Sequence, residues 1–185
     1  MGTYKVGFLV GSLATASINR LLAKALVRLA PPELLLTEIS FRDLPLYSYD
    51  YDTDFPPAAK AFKHAIADAD AMLFVTPEYN RGVPGVLKNA IDVGSRPAGK
   101  SVWRHKAGAV MSVSTGKYGG FGANQHLRQS MVPLDVPMMQ QPEAYVAGAG
   151  SLFDESGALV DTDAQALARK FIEAYARWVE RIVAR

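Results

Sequence analysis

No cysteine occurs among the 185 residues, which excludes disulfides, thiolate metal sites and cysteine nucleophiles together. Long apolar runs are missing as well, and no charged amino-terminal stretch precedes an apolar one. Neither a membrane span nor a secretory leader is therefore expected. Neither sign of charge dominates: 20 basic against 18 acidic side chains leave +2, too little to argue for a nucleic-acid partner. The lack of cysteine suits a reducing compartment, so a cytoplasmic protein is expected. Motifs of hydrolytic and metal chemistry are absent too: there is no G-x-S-x-G and no H-E-x-x-H. The three histidines, His64, His105 and His126, fall on different elements, and only His126, behind a glycine-rich loop, stands near a candidate site. Asp50, Asp52 and Asp54 read as a solvated acidic loop, and no metal site is expected.

What is present is ordinary globular material, 49% hydrophobic and 21% charged, enough for one domain over residues 1–185. Tyr4 to Val10 reads as a first strand, and Ser17 as the N-cap of a helix from Ile18 whose Leu21, Leu22, Ala25, Leu26 and Leu29 form one stripe. Pro31-Pro32 stops that helix, and Leu34 to Ile39 is a second strand. Phe41 to Pro57 is a long connection carrying Tyr47, Tyr49, Tyr51 and Phe55, too long to be a mere link. Ala58 to Ala69 is a helix. Met72-Leu73-Phe74-Val75 is too short for a buried helix and reads as a third strand, with Pro84 in the first turn of the helix behind it. Lys106 to Ser114 is a fourth strand, Ala123 to Met131 a helix, and Val136 to Met139 a fifth strand. Gln140 to Leu159 reads as loop or arm, and Asp163 to Val183 as a final amphipathic helix. Strand and helix alternate without an internal repeat, which predicts an α/β fold with a parallel sheet covered on both faces. Five strands suit the flavodoxin-like order 2-1-3-4-5, in which the loops after strands one and three converge on one crevice.

Three loops then fall at strand carboxyl ends. The first, Gly11 to Asn19, offers hydroxyls at Ser12, Thr15 and Ser17 and the Asn19 amide beside a helix amino terminus, where an anion is favoured. Taken alone, Ser17 as a phosphate ligand and Ser17 as a plain helix cap are equally open. The second loop holds Pro77, Glu78, Tyr79 and Asn80, with Tyr79 able to offer a flat face or to pack on a neighbour. The third carries glycines at 116, 119, 120 and 122, which remove side chains where a flat ligand could approach backbone, and which a mobile surface loop would carry equally. G-x-G-x-x-G is absent after the first strand, and Gly116-Lys117 has neither the spacing nor the following hydroxyl of a P-loop.

Gly11-Ser12-Leu13, Ser17-Ile18-Asn19-Arg20, Thr76-Pro77-Glu78-Tyr79-Asn80, Pro84 to Asp92 (PGVLKNAID) and Gln125 to Gln129 together resemble the NAD(P)H-dependent FMN reductase family. It includes bacterial quinone and chromate reductases. The resemblance spans nearly the whole chain. It implies that Ser12, Ser17, Ile18 and Asn19 hold the FMN phosphate, and that Pro77, Glu78, Tyr79 and Asn80 line the isoalloxazine and ribityl chain. Ser114, Thr115, Gly116 and Gly119 would border the flavin. It further implies NADPH or NADH as co-substrate, a small-molecule electron acceptor such as a quinone, azo dye, chromate or free flavin, and a homodimer or homotetramer. The bound FMN would carry the redox chemistry, so no catalytic side chain is expected and Glu78 need not be a base. One departure stands out: the family often has arginine two residues after the first-loop serine, where this chain has Ala14. Arg20 or a neighbouring subunit is expected to supply that charge; otherwise FMN is held more weakly. The rival readings are a flavodoxin-like one-electron carrier, against which the near-neutral charge argues, and a binding module that has lost its cofactor.

Overall fold

The computed structural model describes residues 2–184. Five strands, β1 (Tyr4–Val10), β2 (Leu34–Glu38), β3 (Ala71–Thr76), β4 (Ala107–Val113) and β5 (Tyr145–Val146), form one sheet in the order β2-β1-β3-β4-β5. All four neighbouring pairs are parallel. This is the flavodoxin-like order that five alternating strands suit, although alternation by itself does not set strand order. The helices are α1 (Ile18–Leu29), α2 (Pro57–Ala67), α3 (Gly85–Ser95), α4 (Phe121–Met131) and α5 (Thr162–Val183).

Side-chain alternation along the strands sorts the core into two layers, as the period of two requires. Val6, Phe8, Val10, Leu73, Val75, Ala109 and Met111 face α1 and α5, where Leu22, Leu26, Phe171, Ile172 and Tyr175 complete the layer. Leu9, Met72, Phe74 and Val110 face the other way, onto Phe62, Leu87, Ile91, Leu127 and Trp103 from α2, α3, α4 and the segment before β4. Because both faces are covered, β3 and β4 are buried throughout and show no polar alternation. Tyr175 sits at the centre of the first layer and still satisfies its hydroxyl, which donates to the Ala107 carbonyl at 3.1 Å.

The expected fifth strand is misplaced. Val136 to Met139 contributes a single bridge, Met138 opposite Gly108, and the strand proper is Tyr145–Val146, opposite Ser112 and Val113. Between these two pairings the chain advances four residues along β4 but seven along the edge. The excess must loop out, at Gln140 to Glu143. Pro137 and Pro142 have no N–H to give a ladder, which suits an interrupted edge. The stretch read as loop or arm, Gln140 to Leu159, therefore holds β5, a short 3₁₀ turn at Ala149–Ser151 and a Phe153–Leu159 bridge. The long connection from Phe41 to Pro57 also contains a 3₁₀ turn, Tyr49–Asp52. It is pinned rather than loose: the Tyr47 N–H donates to Asn89 Oδ1 at 2.8 Å, and Asn89 Nδ2 donates to the Pro45 carbonyl at 2.9 Å. Arg96 closes the clamp, donating to the Tyr47 hydroxyl at 2.9 Å and to Asp52 at 2.6 Å.

Candidate active site at the carboxyl edge

The loops after β1, β3 and β4 lie side by side at the carboxyl edge of the sheet, as the strand order dictates. The first two approach closely because residue 11 is glycine. A Cβ there would lie 2.6 Å from Thr76 Oγ1, 3.2 Å from Pro77 Cδ and 3.1 Å from Leu87 Cδ2. The Gly11 N–H also donates to the Val75 carbonyl at 2.8 Å, so the first loop leaves the sheet already tied to β3.

Ser12, Ser17 and Asn19 are polar yet only 5%, 5% and 2% exposed. Ser17 is the N-cap expected from the sequence, its Oγ accepting from the Arg20 N–H at 3.3 Å. Ser12 Oγ accepts from the Ala14 N–H at 3.3 Å. As acceptors, both hydroxyls keep their own protons available for a second partner. The backbone N–H groups of Leu13, Ile18 and Asn19 have no partner among the described residues. Asn19 Oδ1 is buried and makes no hydrogen bond. Buried polar atoms are seldom left unpaired, and such an exception calls for an explanation. Unpaired donors thus lie along the first loop and the first turn of α1 with one spare acceptor among them, a donor set suited to a phosphate flanked by hydroxyls. Cap and anion ligand are thus compatible roles for Ser17.

The β3 loop is an ordered turn. Tyr79 and Gly82 exchange backbone hydrogen bonds, both at 3.0 Å, around Asn80 and Arg81 with φ of 50° and 66°. Positive φ at both central residues is the mark of a type I′ turn, which asparagine tolerates well. The Tyr79 N–H is therefore occupied, while its ring is half exposed. Glu78 points inward: its Oε2 accepts from the Ala123 N–H at 3.0 Å and its Oε1 from Arg81 at 3.3 Å. Ala123 is the third residue of α4, whose N-cap, Gly120, has no side chain to offer. Glu78 therefore caps α4 from the neighbouring loop, with its negative charge at the positive end of the helix dipole. Glu78→Gln keeps an oxygen for that N–H, and turnover is expected to stay within about threefold of wild type. Glu78→Ala leaves the donor bare and is expected to cost about 1 kcal/mol in urea denaturation. A Gln variant with full cofactor occupancy but little turnover would give Glu78 a chemical role instead.

In the β4 loop, Ser114 Oγ accepts from the Gly116 N–H at 3.0 Å, and Thr115, Gly116, Lys117 and Tyr118 are exposed. Three of the four glycines there are packed against protein. A Cβ at Gly119 would strike the β5 backbone at 2.8 Å, one at Gly120 the Ser112 Cβ at 2.8 Å, and one at Gly122 the Arg81 carbonyl at 2.8 Å. Gly116 alone borders open space, the nearest atom being Ser114 Oγ at 3.4 Å. These glycines let the β3 loop, the β4 loop and β5 close on one another, a packing role that differs from both ligand approach and a mobile surface loop. The Arg81 guanidinium lies 4.8 Å from the Tyr118 ring centroid and Lys117 Nζ 4.9 Å.

His126 is structural: its Nδ1 accepts from the Val83 N–H at 3.2 Å and packs under Gly82. Arg20 is taken by Glu38, with which it forms an ion pair, so it is not the free cation expected for the first loop. A cation reaches that loop from elsewhere, for Arg42 Nη2 donates to the Leu13 carbonyl at 2.7 Å. No local pattern announces that contact. A buried polar network beneath the site also escaped the sequence reading. Ser112 Oγ donates to the Gly119 carbonyl at 2.7 Å, and Asn124 Nδ2 donates to Ser112 Oγ at 3.3 Å. Arg128 Nε in turn donates to Asn124 Oδ1 at 3.0 Å, and burial lowers the guanidinium's pKa from its ordinary value. A groove of about 590 Å³ between β2 and α2 contains no residue of these three loops. The convergent buried polar atoms make the carboxyl edge the better site.

The family profile described as NADPH-dependent FMN reductase matches residues 4–151, which takes in all three loops. A quinone reductase of Pseudomonas putida is 54% identical over 178 residues, 96% of this chain and 95% of that protein. A 2-hydroxy-1,4-benzoquinone reductase of a Burkholderia species is 48% identical, over 95% of this chain and 96% of its own length. Among solved structures, the flavoenzyme NAD(P)H:(acceptor) oxidoreductase FerB of Paracoccus denitrificans superposes with a TM-score of 0.91 at 34% identity, covering 97% of this chain and 99% of that one. These matches favour the enzyme over the electron carrier. The chain belongs to the NADPH-dependent FMN reductase family and is an FMN-dependent NAD(P)H oxidoreductase.

Proposed function

We propose that this oxidoreductase passes hydride from NAD(P)H to quinones, acting as a homodimer or homotetramer in the cytoplasm and using residues 1–185 as one FMN-binding unit. The observation that carries the site assignment is the buried trio Ser12, Ser17 and Asn19 with its unspent hydrogen-bonding capacity. A phosphate would be met by the two serine hydroxyls and by the free N–H groups at Ile18 and Asn19, and a ribityl hydroxyl would satisfy Asn19 Oδ1. FMN, when bound, supplies the hydride-accepting and hydride-donating chemistry. The chain's share is orientation and electrostatics. Pro77, Glu78, Tyr79 and Asn80 form one wall, held rigid by the type I′ turn and by the Glu78 cap. Ser114, Thr115, Gly116 and Gly119 form the other, where only Gly116 presents bare backbone to a ring and Gly119 braces β5. Arg81, already paired with Glu78, and Lys117 flank Tyr118 at the rim, and the positive charge of Lys117 there favours a dinucleotide that carries phosphates.

No protein acid or base is required at the ring, in keeping with the absence of a free carboxylate or imidazole among these residues. Quinone is the acceptor best supported, since relatives at 54% and 48% identity are quinone reductases. Leu46 and Tyr49, 80% and 74% exposed on a connection otherwise clamped in place, support a subunit contact there. The test is steady-state kinetics of the FMN-loaded protein with NADPH or NADH and 1,4-benzoquinone. Quinone-dependent oxidation with parallel double-reciprocal lines is expected, with quinol as product. NAD(P)H oxidation that quinone does not accelerate would exclude quinone as the acceptor, and failure of the apo-protein to bind FMN saturably would exclude the site.

A further inference from the structure

Arg20, the cation nearest the first loop in sequence, is spent on Glu38, and Ala14 carries no charge. Yet a guanidinium does lie on that loop. Arg42, four residues beyond the end of β2 at Glu38, reaches across and donates from Nη2 to the Leu13 carbonyl at 2.7 Å. Leu13 stands between Ser12, whose buried hydroxyl has a proton to give, and Ala14. Arg42 has no carboxylate partner among the described residues, so its charge is not neutralised by an ion pair.

We propose that Arg42 is the phosphate-site cation of this enzyme, supplying from the β2–α2 connection the charge that its own first loop lacks. The proposal rests on the assignment of the first loop as the FMN phosphate site. One Nη2 hydrogen anchors the group to the loop, and a guanidinium has five N–H donors, so four remain for an anion. The neutral donors of the loop, two hydroxyls and several amides, can orient a phosphate but do not balance its charge. A charge-assisted hydrogen bond is roughly twice as strong as a neutral one. Because Arg42 is exposed, its contribution is screened by salt.

Riboflavin, which has the ring and the ribityl chain but no phosphate, separates charge from loop geometry. Apo-protein is titrated with FMN and with riboflavin, following quenching of flavin fluorescence. Wild type is expected to prefer FMN, with the preference falling as salt is raised. Arg42→Gln is expected to weaken FMN by about ten- to a hundredfold, the range for losing one hydrogen bond to a charged group, and to leave riboflavin within about twofold. Arg42→Lys, which keeps the charge but not the planar fork, is expected to retain most of the FMN preference. Equal weakening of both flavins by Arg42→Gln, or a Lys variant as poor as Gln, would show that Arg42 only clamps Leu13. An Arg42→Gln variant that binds FMN as wild type does would also overturn the proposal. Wild-type protein that binds neither flavin would instead overturn the site assignment beneath it.

Discussion

Gly11→Ala is expected to lower FMN affinity by about a hundredfold while leaving a folded protein. The added methyl would sit 2.6 Å from Thr76 Oγ1, a distance that real Cβ atoms do not tolerate, with Leu87 and Pro77 closing off the other directions. Thr76 cannot turn away cheaply. It is fully buried, β-branched, and donates to the Pro77 carbonyl at 2.9 Å. The strain is relieved only by moving the first loop away from the β3 loop, and these two loops carry the proposed phosphate site and one wall of the proposed flavin site. Misplacing recognition groups by even an ångström loses most of their contribution, since several hydrogen bonds fail together. Flavin fluorescence quenching gives the affinity, and far-ultraviolet circular dichroism monitors the fold. A variant that binds FMN within about threefold of wild type would show that the crevice does not depend on this approach.

Trp103→Ala is expected to produce the largest loss of stability of any single truncation on the α2 and α3 face. The ring is completely buried between Phe62 and Phe74, at centroid distances of 6.2 and 6.0 Å, and its Nε1 donates to the Ile91 carbonyl at 2.9 Å. Gly94 on α3 makes room for it, since a Cβ there would collide with the indole Nε1. Truncation removes the transfer free energy of the ring and leaves a cavity among aromatic and aliphatic neighbours too constrained to fill it. Large aromatic truncations of this kind cost about 3–5 kcal/mol. For a chain of this size that corresponds to a melting temperature lower by roughly 6–20 °C. Urea denaturation with unchanged m-value is the measurement. A loss below about 1 kcal/mol would mean that α3 and the segment before β4 collapse onto the vacated space.

Much of this architecture was legible because local rules and tertiary packing agree. The β1 limits, the Ser17 cap and the amphipathic last helix follow from alternation, capping chemistry and helical period, and all three appear in the structure. Strand order followed from fold-level analogy, and with it the convergence of the loops after β1 and β3. The fifth strand was misread because Val136 to Met139 is the more apolar of two competing segments, although Pro137 speaks against a regular strand there. Glycine was the second source of error. A sequence shows that side chains are missing at 119, 120 and 122 but not what occupies the space, which here is β5, Ser112 and the Arg81 carbonyl. Glu78 and Arg42 were beyond local reading for a different reason. Their partners, Ala123 and Leu13, lie 45 and 29 residues away and are brought near only by the packing of loops along one sheet edge.

The looped-out residues of the β5 edge have a consequence for how this protein behaves in a crowded solution. An open sheet offers an unpaired row of donors and acceptors at each border, and a long, flat border is a template for a strand from another molecule. On the β5 side that row never develops. The regular strand is two residues long, the lone bridge at Met138 stands apart from it, and two prolines contribute no donors. An incoming chain could not stay in register across the bulge from Gln140 to Glu143. The irregularity that hid the fifth strand in the sequence also protects this border against aggregation.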